Sequence, residues 1–253
     1  MSETRVIHPG ARVGQGTTLG EFVVVEEGVV IGKNCEIGHH VVIRKETVVG
    51  DNVRIDDHTV LGKWPLRAPN SILPETKVLP PTRIGDGSLL GAATCVYRGA
   101  TLGSKVMVAD QATVRERVSV GDFTIVGRGV VVENDCTVGR YVKLETESYI
   151  TAYSVVEDRV FVAPQVCTTN DMFMGRTEER KKHFKGVTIR RGGRVGGGAV
   201  ILPGLEVGPD GQVAAGAVVT RNVPAGQVVM GAPARPKRAV AEEQLLKNQG
   251  WPE

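Results

Sequence analysis

The chain has 253 residues, a formal net charge of +3, only 4% aromatic residues and 32 glycines. Its Lys and Arg residues are dispersed rather than blocked, which excludes a nucleic-acid face read from charge. So few aromatics exclude a conventional sandwich core, and no apolar run reaches the ~20 residues that cross a bilayer.

The N-terminus, Met1-Ser2-Glu3-Thr4-Arg5, lacks the apolar core of a secretion signal, so the expectation is a soluble cytoplasmic protein. Thereafter an aliphatic residue returns at every sixth position: Ile7, Val13, Leu19, Val25, Ile31, Ile37, Ile43, Val49, Ile55 and Leu61. Neither a helix, with its period of about 3.6, nor a flat strand, with its period of about 2, produces this spacing. The residue four after each beat is small or β-branched, as at Ala11, Thr17, Val29, Cys35, Thr47 and Thr59. Such a unit is one short strand and one tight corner, with the aliphatic side chain inward where space near the axis is limited. Three units make a triangular coil, and coils stack at the β-ladder spacing of about 4.8 Å.

The first interruption, a proline-rich insertion at about 63–82, carries Trp64, one of only two tryptophans. Its prolines preset an extended path with little entropy left to lose. The beat restarts at Ile84 and runs through Leu90, Val96 and Leu102 to Ile150, Val156 and Val162. A second insertion at about 168–188 gathers Asn170, Asp171, Arg176, Arg180, Lys181, Lys182, His183 and Lys185. It reads either as a solvated excursion with a short helix at Glu178 to His183, or as an arm reaching a ligand with anionic groups. The beat then closes with Ile189, Val195, Ile201, Val207, Val213 and Val219.

Thirty beats imply an all-β parallel β-helix of about ten coils, roughly 48 Å long. The expected organisation is one repeat-built domain over 1–236 and a tail over 237–253. Arg238 to Gln249 is predicted to be a short helix, with Ala239, Val240, Leu245 and Leu246 apolar, capping the open end of the column. The four cysteines show no C-x-x-C pairing, and Cys35 and Cys136 fall at inward small positions, as structural filler. His40 and His58 differ by eighteen, so they stack one above the other at about 4.8 Å. Mixed outward Arg, Glu, Asp, Lys and Val argue against a lattice-matching threonine face of the ice-binding kind.

Several segments resemble hexapeptide-repeat acyltransferases: Val160-Phe161-Val162-Ala163-Pro164, Thr169-Asn170-Asp171, Gly175-Arg176-Thr177, Ile201-Leu202-Pro203-Gly204 and Gly231-Ala232-Pro233-Ala234-Arg235. The pattern is most similar to N-acetyltransferases acting on nucleotide-linked 3-amino sugars. Members of that group are typically shorter, so the coils and proline-rich loop before Tyr149 are additional here. The resemblance implies a left-handed β-helix and a homotrimer with acetyl-CoA in the groove between neighbouring columns, and no metal. It aligns Asn170 with an active-site asparagine that contacts the reacting amine or its sugar. Asp171 and His183 are then alternatives for accepting the proton, and Arg176 and Arg180 for holding the substrate. Glu145 falls where similar sequences carry Gln, and is either a sugar contact or an exposed corner.

Pantetheine requires backbone donors and close approach, which Gly196, Gly197, Gly198 and Gly216 offer, although corner geometry alone also asks for glycine. Arg221, Arg235, Lys237 and Arg238 are available to the phosphates. The alternatives within the fold are an O-acetyltransferase or an amino-acid N-acyltransferase. The alternative from another class is a metal-dependent hydrase like the carbonic-anhydrase branch, which uses three histidines. Here His39 is the one further candidate beside His40 and His58, and its ring is expected to leave the corner in a different direction.

Overall fold

A computed structural model of the chain describes residues 4–71 and 78–251; positions 72–77, inside the proline-rich insertion, lie outside the described residues. Thirty-three short strands stack into three parallel sheets of 11, 10 and 12 strands. We call them faces 1, 2 and 3, beginning at Val6–Ile7, Arg12–Val13 and Thr18–Leu19. Up to Val218–Val219, strands pair in parallel with the strand three places on, as Val6 with Val24 and Val24 with Val42. The insertions leave the ladder running, since Val60 pairs with Cys95 and Cys167 with Val200.

The six-residue period is the distance between successive inward positions. Ile43, Ile55, Leu144 and Ile150 are fully buried, and so are the small residues beside them, such as Cys35, Thr59, Ala112 and Ala217. Each aliphatic burial contributes about 1.5–3 kcal/mol, and the column draws on this along nearly all its length. The first coil is the exception: Val6, Ile7 and Val13 are exposed at its open end. All four cysteines are free. The Cys136 thiol donates to the Thr151 carbonyl at 3.1 Å, and burial pushes its pKa up to about 12, as befits filler.

Two expectations change. The column is one or two coils longer than ten, because Thr168 occupies an inward position that no aliphatic residue marks. Two further strands, Gln227–Met230 and Arg235–Ala239, also follow the last aliphatic beat. The continuous helix expected over Arg238–Gln249 is absent. Arg238 and Ala239 belong to a strand that pairs antiparallel with Gln227–Met230. The remainder is too short to nucleate a stable α-helix, and forms the 3₁₀ turns Glu242–Gln244 and Leu246–Asn248. The hairpin covers the end of face 3, and the turns fold back along the side of the column: Leu246 N–H donates to Asp210 Oδ1 at 3.1 Å. Among the described residues no helix is long and apolar enough to cross a membrane.

Candidate active site

Both insertions leave the column at the same edge. One departs after Val60–Lys63 and the other after Cys167–Thr168, both strands of face 1; they return at Arg83–Ile84 and Thr188–Ile189 of face 2. Five ladder steps, about 24 Å, separate them. The edge between them is polar and densely paired. Arg115 donates to Glu116 at 2.9 Å and to Glu133 at 3.2 Å, and stacks over Tyr97 at 4.8 Å. Arg117 donates to Asp135 at 2.8 Å. Glu116 and Asn134 are buried, and burial next to Glu133 pushes the Tyr149 phenol up to about 12. Nothing in the sequence reading singled out this cluster. Its signal was there: from Leu61 to Thr168 there are fifteen strand-to-strand steps, one through the first insertion and fourteen of six residues, and fifteen is a multiple of three, which puts both insertions on one edge.

The first arm is pinned by Arg98, which donates to the carbonyls of Leu79 at 3.0 Å and Lys45 at 2.8 Å, pairs with Glu46 and lies 5.5 Å over the Trp64 ring. The second arm is anchored at its base. Thr169 Oγ1 donates to the Ile201 carbonyl at 3.2 Å. Lys185 N–H donates to the Asn170 carbonyl at 3.2 Å, and Gly204 N–H to the Lys185 carbonyl at 3.0 Å.

Asp171 is spent on the arm's own turn: its carboxylate accepts from the N–H groups of Phe173 and Gly175, both at 2.8 Å, and meets Arg180 at 3.5 Å. Partial burial alone would raise its pKa, but these donors hold it below the ordinary carboxylate value. That arrangement suits a residue that shapes the arm better than one that receives a proton. The expected short helix appears as the 3₁₀ segment Glu178–Lys182. His183 caps it, with Nε2 at 3.0 Å from Glu179 and its ring 5.7 Å from Phe173. Beneath lies a cleft of about 360 Å³ lined by Met172, His183, Phe184, Lys185, Pro203 and Gly204, together with Lys182. Asn170 is half-buried at the arm's base, and its side-chain amide makes no hydrogen bond among the described residues. Arg176 is exposed near the tip.

The remaining candidates sit elsewhere. Glu145 takes the place beneath Ala163 that its spacing requires, donating its N–H to the Val162 carbonyl at 2.8 Å. It lies on the edge between faces 3 and 1, so the width of face 1 separates it from its own arm. Gly196, Gly197, Gly198 and Gly216 share that 3–1 edge, nearer the C-terminal end. A Cβ on Gly196 would meet the Ala215 nitrogen at 2.5 Å, so packing dictates that glycine. Gly197 has no such reason, its nearest contact being an ordinary 3.4 Å. Gly198 and Gly216 have φ of 65° and 66°, but Gln165, Glu147 and His58 adopt the same conformation in the same ladder. This end of the edge is therefore stripped of side chains beyond what the corner demands. Arg235, Lys237 and Arg238 lie beside it on the last strand, whereas Arg221 is on the arm-bearing edge.

The histidine ladder forms as expected. His40 and His58 stack at 4.9 Å and 6°, extended by Phe22 at 4.9 Å. His39 turns away, its Nδ1 accepting from the Glu21 N–H at 2.9 Å. Among the described residues no group of three or more His, Cys, Asp or Glu is arranged to hold a metal ion.

Two family descriptions match segments of the chain: bacterial transferase hexapeptide (six repeats) over residues 10–45, and hexapeptide repeat of succinyl-transferase over residues 81–109. Two stretches of the column are thus similar to hexapeptide-repeat families. Among curated relatives, a 2,3,4,5-tetrahydropyridine-2,6-dicarboxylate N-acetyltransferase of Staphylococcus aureus is 49% identical over 55 residues, which cover 22% of this chain and 23% of that one. The hexapeptide-repeat match thus spans under a quarter of either protein. Among solved structures, a Francisella novicida UDP-N-acetylglucosamine acyltransferase superposes with a TM-score of 0.54 at 21% identity, covering 98% of this chain and 73% of that chain. It establishes a shared fold along almost the whole column.

Proposed function

We propose that this protein is a CoA-dependent acyltransferase that N-acetylates an amino group on a nucleotide-linked sugar, working as a homotrimer. The carrying observation is the arm at 168–188: its base holds Asn170, whose side-chain amide makes no hydrogen bond among the described residues, two positions before Met172 on the wall of the cleft. The glycine-stripped 3–1 edge supports it, as an open track for a pantetheine chain. So does the curated relative, whose name is that of an N-acetyltransferase. In a threefold assembly the arm of one chain meets the 3–1 edge of the next, which would bring Asn170 and Glu145 of different chains into one groove.

The chemistry then follows from the groups present. A neutral amine attacks the thioester carbonyl, a C–N bond forms, the C–S bond breaks, and CoA leaves as the thiol. The Asn170 side-chain carbonyl accepts an N–H of the amine and aims its lone pair. His183 takes the proton released from the nitrogen, for which a neutral imidazole is suited near pH 7. Asp171 holds the arm in shape, and Arg176 and Arg180 attract the acceptor's phosphates. Arg235, Lys237 and Arg238 serve the phosphates of CoA.

Thiol release from acetyl-CoA, measured against nucleotide-linked 3-amino and 4-amino sugars, simple amines and hydroxyl acceptors, tests this. Turnover with an amino sugar is expected. Turnover confined to hydroxyl acceptors would reject N-acylation, and a monomer in sedimentation would reject the shared groove.

A further inference from the structure

The folded-back tail roofs a groove on face 3, on the far side of the column from the arms. Leu246 is tied to Asp210, and Gln212 Nε2 donates to Gln244 Oε1 at 3.3 Å, so the tail is held against the column. The enclosed space is about 440 Å³, and its walls include Tyr141, Phe161, Trp251, Lys143, Arg159 and Arg194. The whole chain has only five Phe, four Tyr and two Trp, so three aromatics on one groove is a marked concentration.

Their arrangement is ordered. Tyr141 stacks on Phe123 at 4.9 Å with 1° between the planes. The Arg159 guanidinium lies 4.5 Å over Tyr141 and 5.4 Å over Trp251, which fixes the indole while leaving it 53% exposed. On the face itself Lys143, Phe161 and Arg194 stand in direct register. Lys143 and Arg194 make no ion pair among the described residues, in contrast to the paired arginines of the arm-bearing edge. The groove's one carboxylate, Asp210, is engaged by the Leu246 N–H.

An exposed aromatic ring between unpaired cations fits a flat π-system joined to phosphate. We infer that this groove binds the base and phosphates of a nucleotide, with Trp251 and Phe161 stacking on the base and Arg194 and Lys143 holding phosphate. Two sources share that chemistry: the adenosine bisphosphate of an acyl-CoA, and the nucleoside diphosphate of the acceptor. Gly196 lines both this groove and the 3–1 edge, so a pantetheine chain lying along that edge would deliver the first of them here. In that respect the inference rests on the proposed acyl transfer.

The test uses Trp64→Phe protein, in which Trp251 is the sole tryptophan, titrated with adenosine 3′,5′-bisphosphate, uridine diphosphate and thymidine diphosphate. Saturable quenching by the adenosine compound identifies the donor as the source; quenching by a pyrimidine diphosphate identifies the acceptor. Adding Arg194→Ala or Phe161→Ala, each on the outer surface of face 3, should weaken binding by about tenfold. No saturable change with any of the three, or unaltered affinity in both variants, overturns the site. Thiol release without quenching would sink this groove and leave the acyltransfer reading standing. Quenching without turnover on any acceptor would do the reverse.

Discussion

The edge between faces 2 and 3 and the edge between faces 1 and 2 turn the same backbone through the same kind of corner, yet they are built from opposite residues. At the first corner position the 2–3 edge has glycine at residues 14, 32, 50, 85, 103, 121, 139 and 208, with Glu157 and Arg190 as exceptions, whereas the 1–2 edge has His8, Glu26, Arg44, Tyr97, Arg115, Glu133 and Thr151, with Gly62 as an exception where the first arm departs. On the 2–3 edge a Cβ at Gly85 would lie 2.5 Å from the Gly103 carbonyl, so successive corners are in backbone contact. On the 1–2 edge side chains project and pair with one another instead. One edge holds the column together, and the other bears both arms. A corner needs glycine only where the neighbouring coil touches it, and the edge freed from that need is where chemistry can be attached.

The sharpest break of this contrast is Gly85→Ala. The new methyl meets backbone rather than a movable side chain, so the loss should be about 3 kcal/mol or more, read from the urea midpoint. A loss below about 0.5 kcal/mol would dismiss contact between corners as the reason for glycine. Next in size, on the other edge, is Asn170→Ala. Its side chain belongs to an excursion, so the unfolding midpoint should stay put. Turnover should fall about a hundredfold, the order seen when one positioned polar group is removed from a transition state. Near-normal turnover would strike Asn170 from the mechanism.

The period made the column legible, because a buried position recurring every six residues has no other simple geometry. The stacked His40 and His58, and the place of Glu145 beneath Ala163, followed from the same arithmetic. Thr168 was missed as an inward residue because its methyl is buried like that of valine while its type signals a loop. The polar edge escaped because Glu116, Asn134 and Tyr149 are far apart in sequence and meet only when coils stack. The tail misled because Ala239, Val240, Leu245 and Leu246 carry a helical spacing, yet the hairpin claims Ala239, and Val240 donates its N–H to the Gly226 carbonyl at 2.8 Å just beyond it. Asp171 stands next to Asn170 in sequence, but only the arm's conformation shows that its oxygens are already taken.

The 3–1 edge offers a smaller, cleaner probe. Gly197→Ala adds a methyl at ordinary contact distance from Pro164, so stability should not change. If the acyl donor runs along this edge, its KM should rise about tenfold, or about 1.4 kcal/mol, with kcat held. An unchanged KM would remove the donor from this edge while leaving the arm untouched.

The smallest effect concerns what an arm costs the edge that carries it. Down the column a hydroxyl donates to the carbonyl fifteen residues on: Thr17 to Gly32, Ser88 to Gly103, Thr124 to Gly139 and Thr82 to Tyr97. By that rule Thr47 should reach Gly62 and Ser154 should reach Thr169, and these are the two points where the arms depart. The strand Val60–Lys63 shifts register there, and the fully buried Thr47 hydroxyl has no partner among the described residues; Ser154 turns instead to the Thr151 carbonyl at 2.7 Å. Replacing an unpaired buried hydroxyl by a methyl of similar shape removes a desolvation cost, so Thr47→Val should stabilise the protein by about 1 kcal/mol. The same change at Thr82, one coil along the same edge, should destabilise it by a similar amount, because there the bond is made. Matching signs for the two variants in urea unfolding would mean that the first arm does not break the hydroxyl ladder.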